Sequence, residues 1–123
     1  MTTKFLNRKV YYRDDVIFRE GEPGDCAYLI ERGEIQITKK TPDGDEIELG
    51  RLGPGAIFGE MAMIDLQPRM AKATALSDTT VTFVNHVMFE KKLKAADPFL
   101  RALLLIMVRN VRALSDQLVD SGS

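Results

Sequence analysis

Between residues 9 and 85, apolar and polar positions alternate in short runs, and turn-forming residues separate the runs. The runs are "VIF" (16–18), "CAYLI" (26–30), "EIQIT" (34–38), "EIELGRL" (46–52), "MAKATA" (70–75) and "TTVTFV" (79–84). Ile35 and Ile37 fall on one face and Glu34 and Gln36 on the other, the period-two pattern of a half-buried strand. Pro42-Asp43-Gly44 predicts a hairpin turn, because Pro presets its φ and Gly tolerates a positive one. Short strands at this spacing predict an antiparallel sandwich or jelly roll.

The period changes after residue 86. "VMFEKKLKAA" (87–96) carries apolar residues at helical spacing. Asp97 then supplies an N-cap, and Pro98 suits the first helical position, where its missing N–H costs nothing. The helix predicted over 98–119 places Leu100, Leu104, Met107, Val111, Leu114 and Leu118 at alternating steps of four and three, a heptad spacing. Leu103, Leu105, Ile106 and Val108 widen the stripe, so its first half is expected to be buried on more than one side. One side would meet the barrel, the other a pocket or a partner helix. Arg101, Arg109 and Arg112 are expected to form a solvated face. The expected fold class is mainly β with α (α+β): a β barrel or jelly roll over about 9–85, then helices at 87–96 and 98–119. All of it reads as a single domain, 1–123.

Composition narrows the chemistry. A chain of 123 residues suits one domain. Seventeen basic against 18 acidic side chains leave a net charge of -1, which is no electrostatic footprint for nucleic acid or an anionic membrane. The run "ALLLIMV" (102–108) is far short of the roughly 20 residues that span a bilayer. "MTTKFLNRKV" lacks the apolar core of a signal peptide. A cytoplasmic protein is expected. The one cysteine, Cys26, cannot form an internal disulfide or hold a metal cluster alone, and reads as a buried, inert thiol. The one histidine, His86, rules out a multi-histidine metal site of the kind a cupin-like enzyme needs. No nucleophile–base constellation is visible. Neither an enzyme nor a cofactor is expected.

The stretch "FGEMAMIDLQPRMAKATA" (58–75) stands apart. Gly59 and Glu60 open an apolar run that Pro68 and Arg69 close. "EMAMI" (60–64) predicts about one and a half helical turns, whose N-terminus offers unpaired N–H groups and a positive dipole end. Glu60 either satisfies that dipole or accepts from a sugar hydroxyl. Arg69 either faces solvent or presents its planar fork of donors to an anion. The second reading of each gives a receptor for a sugar phosphate.

This stretch closely resembles the phosphate-binding cassette of cyclic nucleotide-binding domains, found in cAMP-dependent protein kinase regulatory subunits, cyclic nucleotide-gated channels and bacterial catabolite activators. "IFREGEPGDCAYLIERGEIQI" (17–37) resembles the same family, and the resemblance runs over about 10–119. It implies that Glu60 accepts the ribose 2′-OH, that the Gly59 backbone lies against the ribose, and that Arg69 pairs with the exocyclic phosphate oxygens. It implies further that N–H groups of Met61, Ala62, Met70 and Ala71 complete the cradle, and that the 98–119 helix folds over the base. Two departures matter. A threonine just after the arginine is associated in the family with cGMP preference, and Met70 has no hydroxyl, so cAMP is the expected ligand and cGMP the second choice. Lys72 replaces a common threonine, and either faces solvent or touches the ligand.

The expected role is a sensor whose C-terminal helices report binding. The alternative is an interaction module of the same fold with an idle pocket, forming a homodimer or meeting a partner protein through helix 98–119. A helix-turn-helix would need residues beyond 123, so no nucleic-acid partner is expected of this chain.

Overall fold

The computed structural model describes residues 7–122. Ser123 and residues 1–6, which include most of the stretch read as leaderless, lie outside it. The described residues hold the strands β1 (Asn7–Tyr11), β2 (Val16–Phe18), β3 (Cys26–Arg32), β4 (Ile35–Lys40), β5 (Glu46–Leu52), β6 (Ile57–Phe58), β7 (Lys72–Ala75) and β8 (Thr79–Asn85). They form two four-stranded antiparallel sheets, ordered β1-β8-β3-β6 and β2-β7-β4-β5. This is the antiparallel jelly roll that the spacing of the runs predicts. The Pro42-Asp43-Gly44 turn joins β4 to β5, with Gly44 at φ 92° and its N–H donating to Thr41 O at 2.9 Å.

The core lies between the sheets. Phe18, Ile30, Ile35, Phe58, Ala73, Ala75 and Val81 are buried there, with Tyr28 and Ile37 packed against them. Phe18, Tyr28 and Phe58 form a ring cluster, with Tyr28 stacked on Phe58 at 5.0 Å. The alanines of β7 are fully buried in the same cluster. Large rings and small methyls thus share the space between the sheets.

Among the described residues three helices join the strands: α1 (Glu60–Asp65), α2 (His86–Lys94) and α3 (Pro98–Gly122). Asn85 caps α2, accepting from the Met88 N–H at 2.9 Å. Asp97 caps α3 as expected, accepting from the Phe99 N–H at 2.8 Å. Helix α2 begins at His86 and stops at Lys94, and α3 runs past 119 to Gly122.

Several expectations are corrected. The strand read at 70–75 starts at Lys72, and Met70 and Ala71 form a bend before it. The first half of α3 is not buried on several sides. Val108 is buried, but Leu103 is 40% exposed and Ile106 49%. Helix α3 packs through Val108, Ser115 and Val119, which are buried at steps of seven and four. The heptad positions Leu100, Met107, Val111, Leu114 and Leu118 are exposed.

Arg112 is not part of a solvated face. Its Nε and Nη2 donate to the two oxygens of Asp65 at 2.7 and 3.0 Å, and its Nη1 donates to Pro68 O at 3.0 Å. Both partners of the pair keep under a fifth of their side-chain surface exposed. This fork pins α3 to the loop that follows α1.

Candidate functional site

Gly59, Glu60, Met61, Ala62, Arg69, Met70 and Ala71, the seven residues expected to form a site, all line one cavity of about 290 Å³. Phe18, Ile37, Leu52, Ile57 and Phe58 close it from the barrel side, and Val111 and Arg112 of α3 from above. A larger cleft of about 510 Å³ lies between the α1 loop, α2 and α3, bounded by His86, Glu90 and Arg101. It contains none of the seven.

The chain folds this way locally because of Gly59. It sits at φ 78° and ψ 5°, a left-handed conformation that glycine adopts at no steric cost, and it turns β6 directly into α1. A Cβ there would also lie 2.8 Å from the Arg69 guanidinium. No side chain caps α1, Met61 and Ala62 at its start line the cavity, and Glu60 sits half-buried in the first turn.

Arg69 is the centre of the site. It is only 5% exposed. Nη1 donates to Gly59 O at 2.8 Å, and Nη2 to Cys26 O at 3.2 Å and Cys26 Sγ at 3.8 Å. The guanidinium lies over the Phe18 ring at 4.2 Å and the Tyr28 ring at 5.7 Å, a cation–π shelf. Nε is buried without a hydrogen-bond partner. Among the described residues no carboxylate lies within ion-pair distance of it. Buried charges in proteins are ordinarily paired, and this one is held only by neutral carbonyls, a thiol and rings.

Other side chains sort differently. Cys26 is half-buried beside the guanidinium, not the core thiol the sequence led us to expect. Burial pushes the Tyr28 phenol above its ordinary value of 10.0; a hydrogen bond to Cys26 acts the same way and the Arg69 charge opposes it. Lys72 donates to Glu46 on β5 at 2.9 Å, an ion pair across the sheet. His86 Nδ1 sits 3.2 Å from Met63 O. Among the described residues no group of three or more His, Cys, Asp or Glu is placed to hold a metal ion.

The sequence reasoning missed five contributors. Phe18 and Tyr28 form the shelf. Gly24 packs so close that a Cβ there would lie 2.1 Å from Arg69 Nε. Arg112 ties α3 to the site's outer loop. Lys39 is buried nearby, and extending the alternation from Ile35 and Ile37 by two residues would have placed it on the inner face.

Fold and site together define a jelly-roll domain in which, among the described residues, one buried guanidinium without a carboxylate partner lines a small, mostly apolar cavity. Residues 8–96 match the cyclic nucleotide-binding domain, and the chain belongs to that family. It is 30% identical over 118 residues to a CRP-like cAMP-activated global transcriptional regulator of Mycobacterium tuberculosis, covering 96% of this chain and 53% of that protein. It is 38% identical to the cAMP-bound form of the EAL enzyme Bd1971, with a TM-score of 0.84, over 89% of this chain and 29% of that one. The catabolite activator protein of Thermus thermophilus superposes with a TM-score of 0.75 at 28% identity, over 94% of this chain and 54% of that one. The chain therefore spans about half the length of the mycobacterial regulator. Among the described residues no helix is long and apolar enough to cross a membrane.

Proposed function

We propose that this chain is a cAMP sensor. The observation that carries the reading is Arg69, a buried cation with no carboxylate partner in a cavity shared with Glu60 and the start of α1. A cyclic phosphate supplies the missing negative charge to the guanidinium fork. Gly59, Met61, Ala62, Met70 and Ala71 bring backbone to the same cavity, and Glu60 brings the hydroxyl acceptor for the ribose. Val111 and Arg112 border it from α3, so the base lies against that helix.

Met70 lines the cavity with a thioether, which gives guanine no hydroxyl contact. The similar enzyme Bd1971 has both cAMP-bound and cGMP-bound forms. For this chain both ligands are therefore expected to bind, cAMP the tighter. The role is regulatory binding, not catalysis, within a single domain. Helix α3 is the reporting element, because it borders the cavity and is latched to the cassette loop by Arg112. A ligand shifts such an element only through its differential affinity for the two positions.

An interaction module with an idle pocket is disfavoured by the full set of seven residues around one cavity. Its dimerising half survives, because the exposed heptad seam of α3 fits a second copy of the chain.

Calorimetry with cAMP, cGMP and cyclic di-GMP on the wild type and on Arg69→Ala tests the assignment. Losing the charged partner of a buried phosphate costs about 2–5 kcal/mol, which is roughly 30-fold to several thousand-fold in affinity. Unchanged heat in the variant would remove Arg69 from the site. No heat from any cyclic nucleotide on the wild type would restore the idle-pocket reading.

A further inference from the structure

Alternation along β4 puts Ile35, Ile37 and Lys39 on one face. Two of them pack into the core, and the third carries an ammonium to the same side with 8% of its surface exposed. Lys39 and Arg69 are the buried charged side chains among the described residues. Arg69 belongs to a short segment at 69–71, and Lys39 donates into it. Lys39 Nζ donates to Met70 O at 2.5 Å, with Glu20 Oε2 at 3.4 Å and Asp116 Oδ1 of α3 at 3.6 Å.

The segment is held at successive peptides. The Arg69 N–H donates to Glu22 O at 2.8 Å, and Arg69 O accepts from the Gly21 N–H at 2.8 Å. Met70 O is the next carbonyl along, and Lys39 is its donor. Every described peptide bond is trans, so each N–H points opposite the carbonyl of its own peptide unit. With the Arg69 carbonyl turned to Gly21, the Met70 N–H faces the other way. With the Met70 carbonyl turned to Lys39, the Ala71 N–H points away from the ammonium. Met70 and Ala71 both line the cavity.

We infer that Lys39 is a positioning residue of the phosphate cradle. Its ammonium fixes the Met70–Ala71 peptide and so sets how this segment presents its N–H groups to a bound cyclic phosphate. The inference rests on the cAMP reading above. The same ammonium faces Asp116, so the cradle and α3 share one cation.

The test compares the wild type with Lys39→Met, which keeps length and loses the donor, and Lys39→Arg, which keeps the charge. cAMP affinity is measured by calorimetry, thermal stability separately, and the Met70 and Ala71 amides by 1H–15N spectra with and without cAMP. Lys39→Met is expected to bind cAMP about ten- to a hundredfold more weakly, one to two decades at 1.4 kcal/mol each. Its Met70 and Ala71 amides should lose the shift that cAMP causes in the wild type, and Lys39→Arg should restore most of both. If Lys39→Met does not fold, Lys39→Gln, which retains a polar head, takes its place. Affinity within twofold of wild type, or weaker binding with those amide shifts unchanged, overturns the inference while leaving the cAMP reading intact. A wild type that binds no cyclic nucleotide overturns both.

Discussion

Arg69 is held from several sides and open to the cavity on another. Phe18 and Tyr28 lie under its plane, Gly59 and Cys26 hold its Nη atoms, and Gly24 closes against its Nε. Gly24 matters here for closeness, since a Cβ would stand 2.1 Å from Nε. Gly24→Ala is therefore expected to displace the guanidinium and weaken cAMP binding at least about tenfold, in line with the steep dependence of recognition on placement. Gly50→Ala, with nothing within 4 Å of its Cβ, is the control, and its affinity should match the wild type. Equal binding by both variants would mean that Arg69 does not need its present pose. At this scale the seven cavity residues were legible because they are contiguous with a motif whose chemistry is local. The shelf, the Gly24 contact and Lys39 were not, because each reaches Arg69 or Met70 from a strand or loop 30 or more residues away. Cys26 was misread for the same reason. A lone thiol shows nothing in the sequence of the guanidinium that the fold brings to it.

Among the elements, six of the eight described strands were legible, and the two edge strands of one sheet, β1 and β6, were not. Residues 7–10 of β1 are exposed, so no buried face stamps a period on them. β6 is two residues long and sits among glycines, too short to show any period. Helix α3 was legible as a helix, through its cap and its spacing, but its faces were misassigned. Hydrophobicity along a helix marks which face is apolar, not which of two apolar faces meets the barrel. Val108, Ser115 and Val119 are the positions that become buried, and Arg112 joins them through a fork on Asp65. Breaking a largely buried pair by deleting one partner costs on the order of 3 kcal/mol. Arg112→Ala and Asp65→Ala should each lower stability by about that amount, and the double variant by little more, since both delete the same contact. Denaturant titration checks this, and hydrogen exchange should show faster opening of α3 in each variant. Additive losses would mean that the two side chains act on different partners.

For the molecule as a whole, the exposed seam of α3 points outward from a domain whose own core is already closed. Leu100, Met107, Val111, Leu114 and Leu118 are between 46% and 63% exposed. Two such helices packed seam to seam bury these residues in a coiled coil. The chain is expected to scatter light with the mass of a dimer, and Met107→Glu with Leu114→Glu to scatter with the mass of a monomer. A monomeric wild type at tens of micromolar would remove the pairing.

The fork of Arg112 also has a mechanical meaning. It grips α3 partway along, leaving about 21 Å of helix toward Pro98 and about 15 Å toward Gly122, at 1.5 Å per residue. In the proposed sensor, a move that loosens the packing of Val108, Ser115 and Val119 while this contact holds makes it a fulcrum with unequal arms. A tilt of about 10° there carries the two tips through about 4 and 3 Å in opposite directions, by simple rotation of arms of those lengths. In the proposed sensor, movement of the loop between Asp65 and Arg69 is thus expected to reach both ends of α3, and the longer arm is the one that begins at the Asp97 cap.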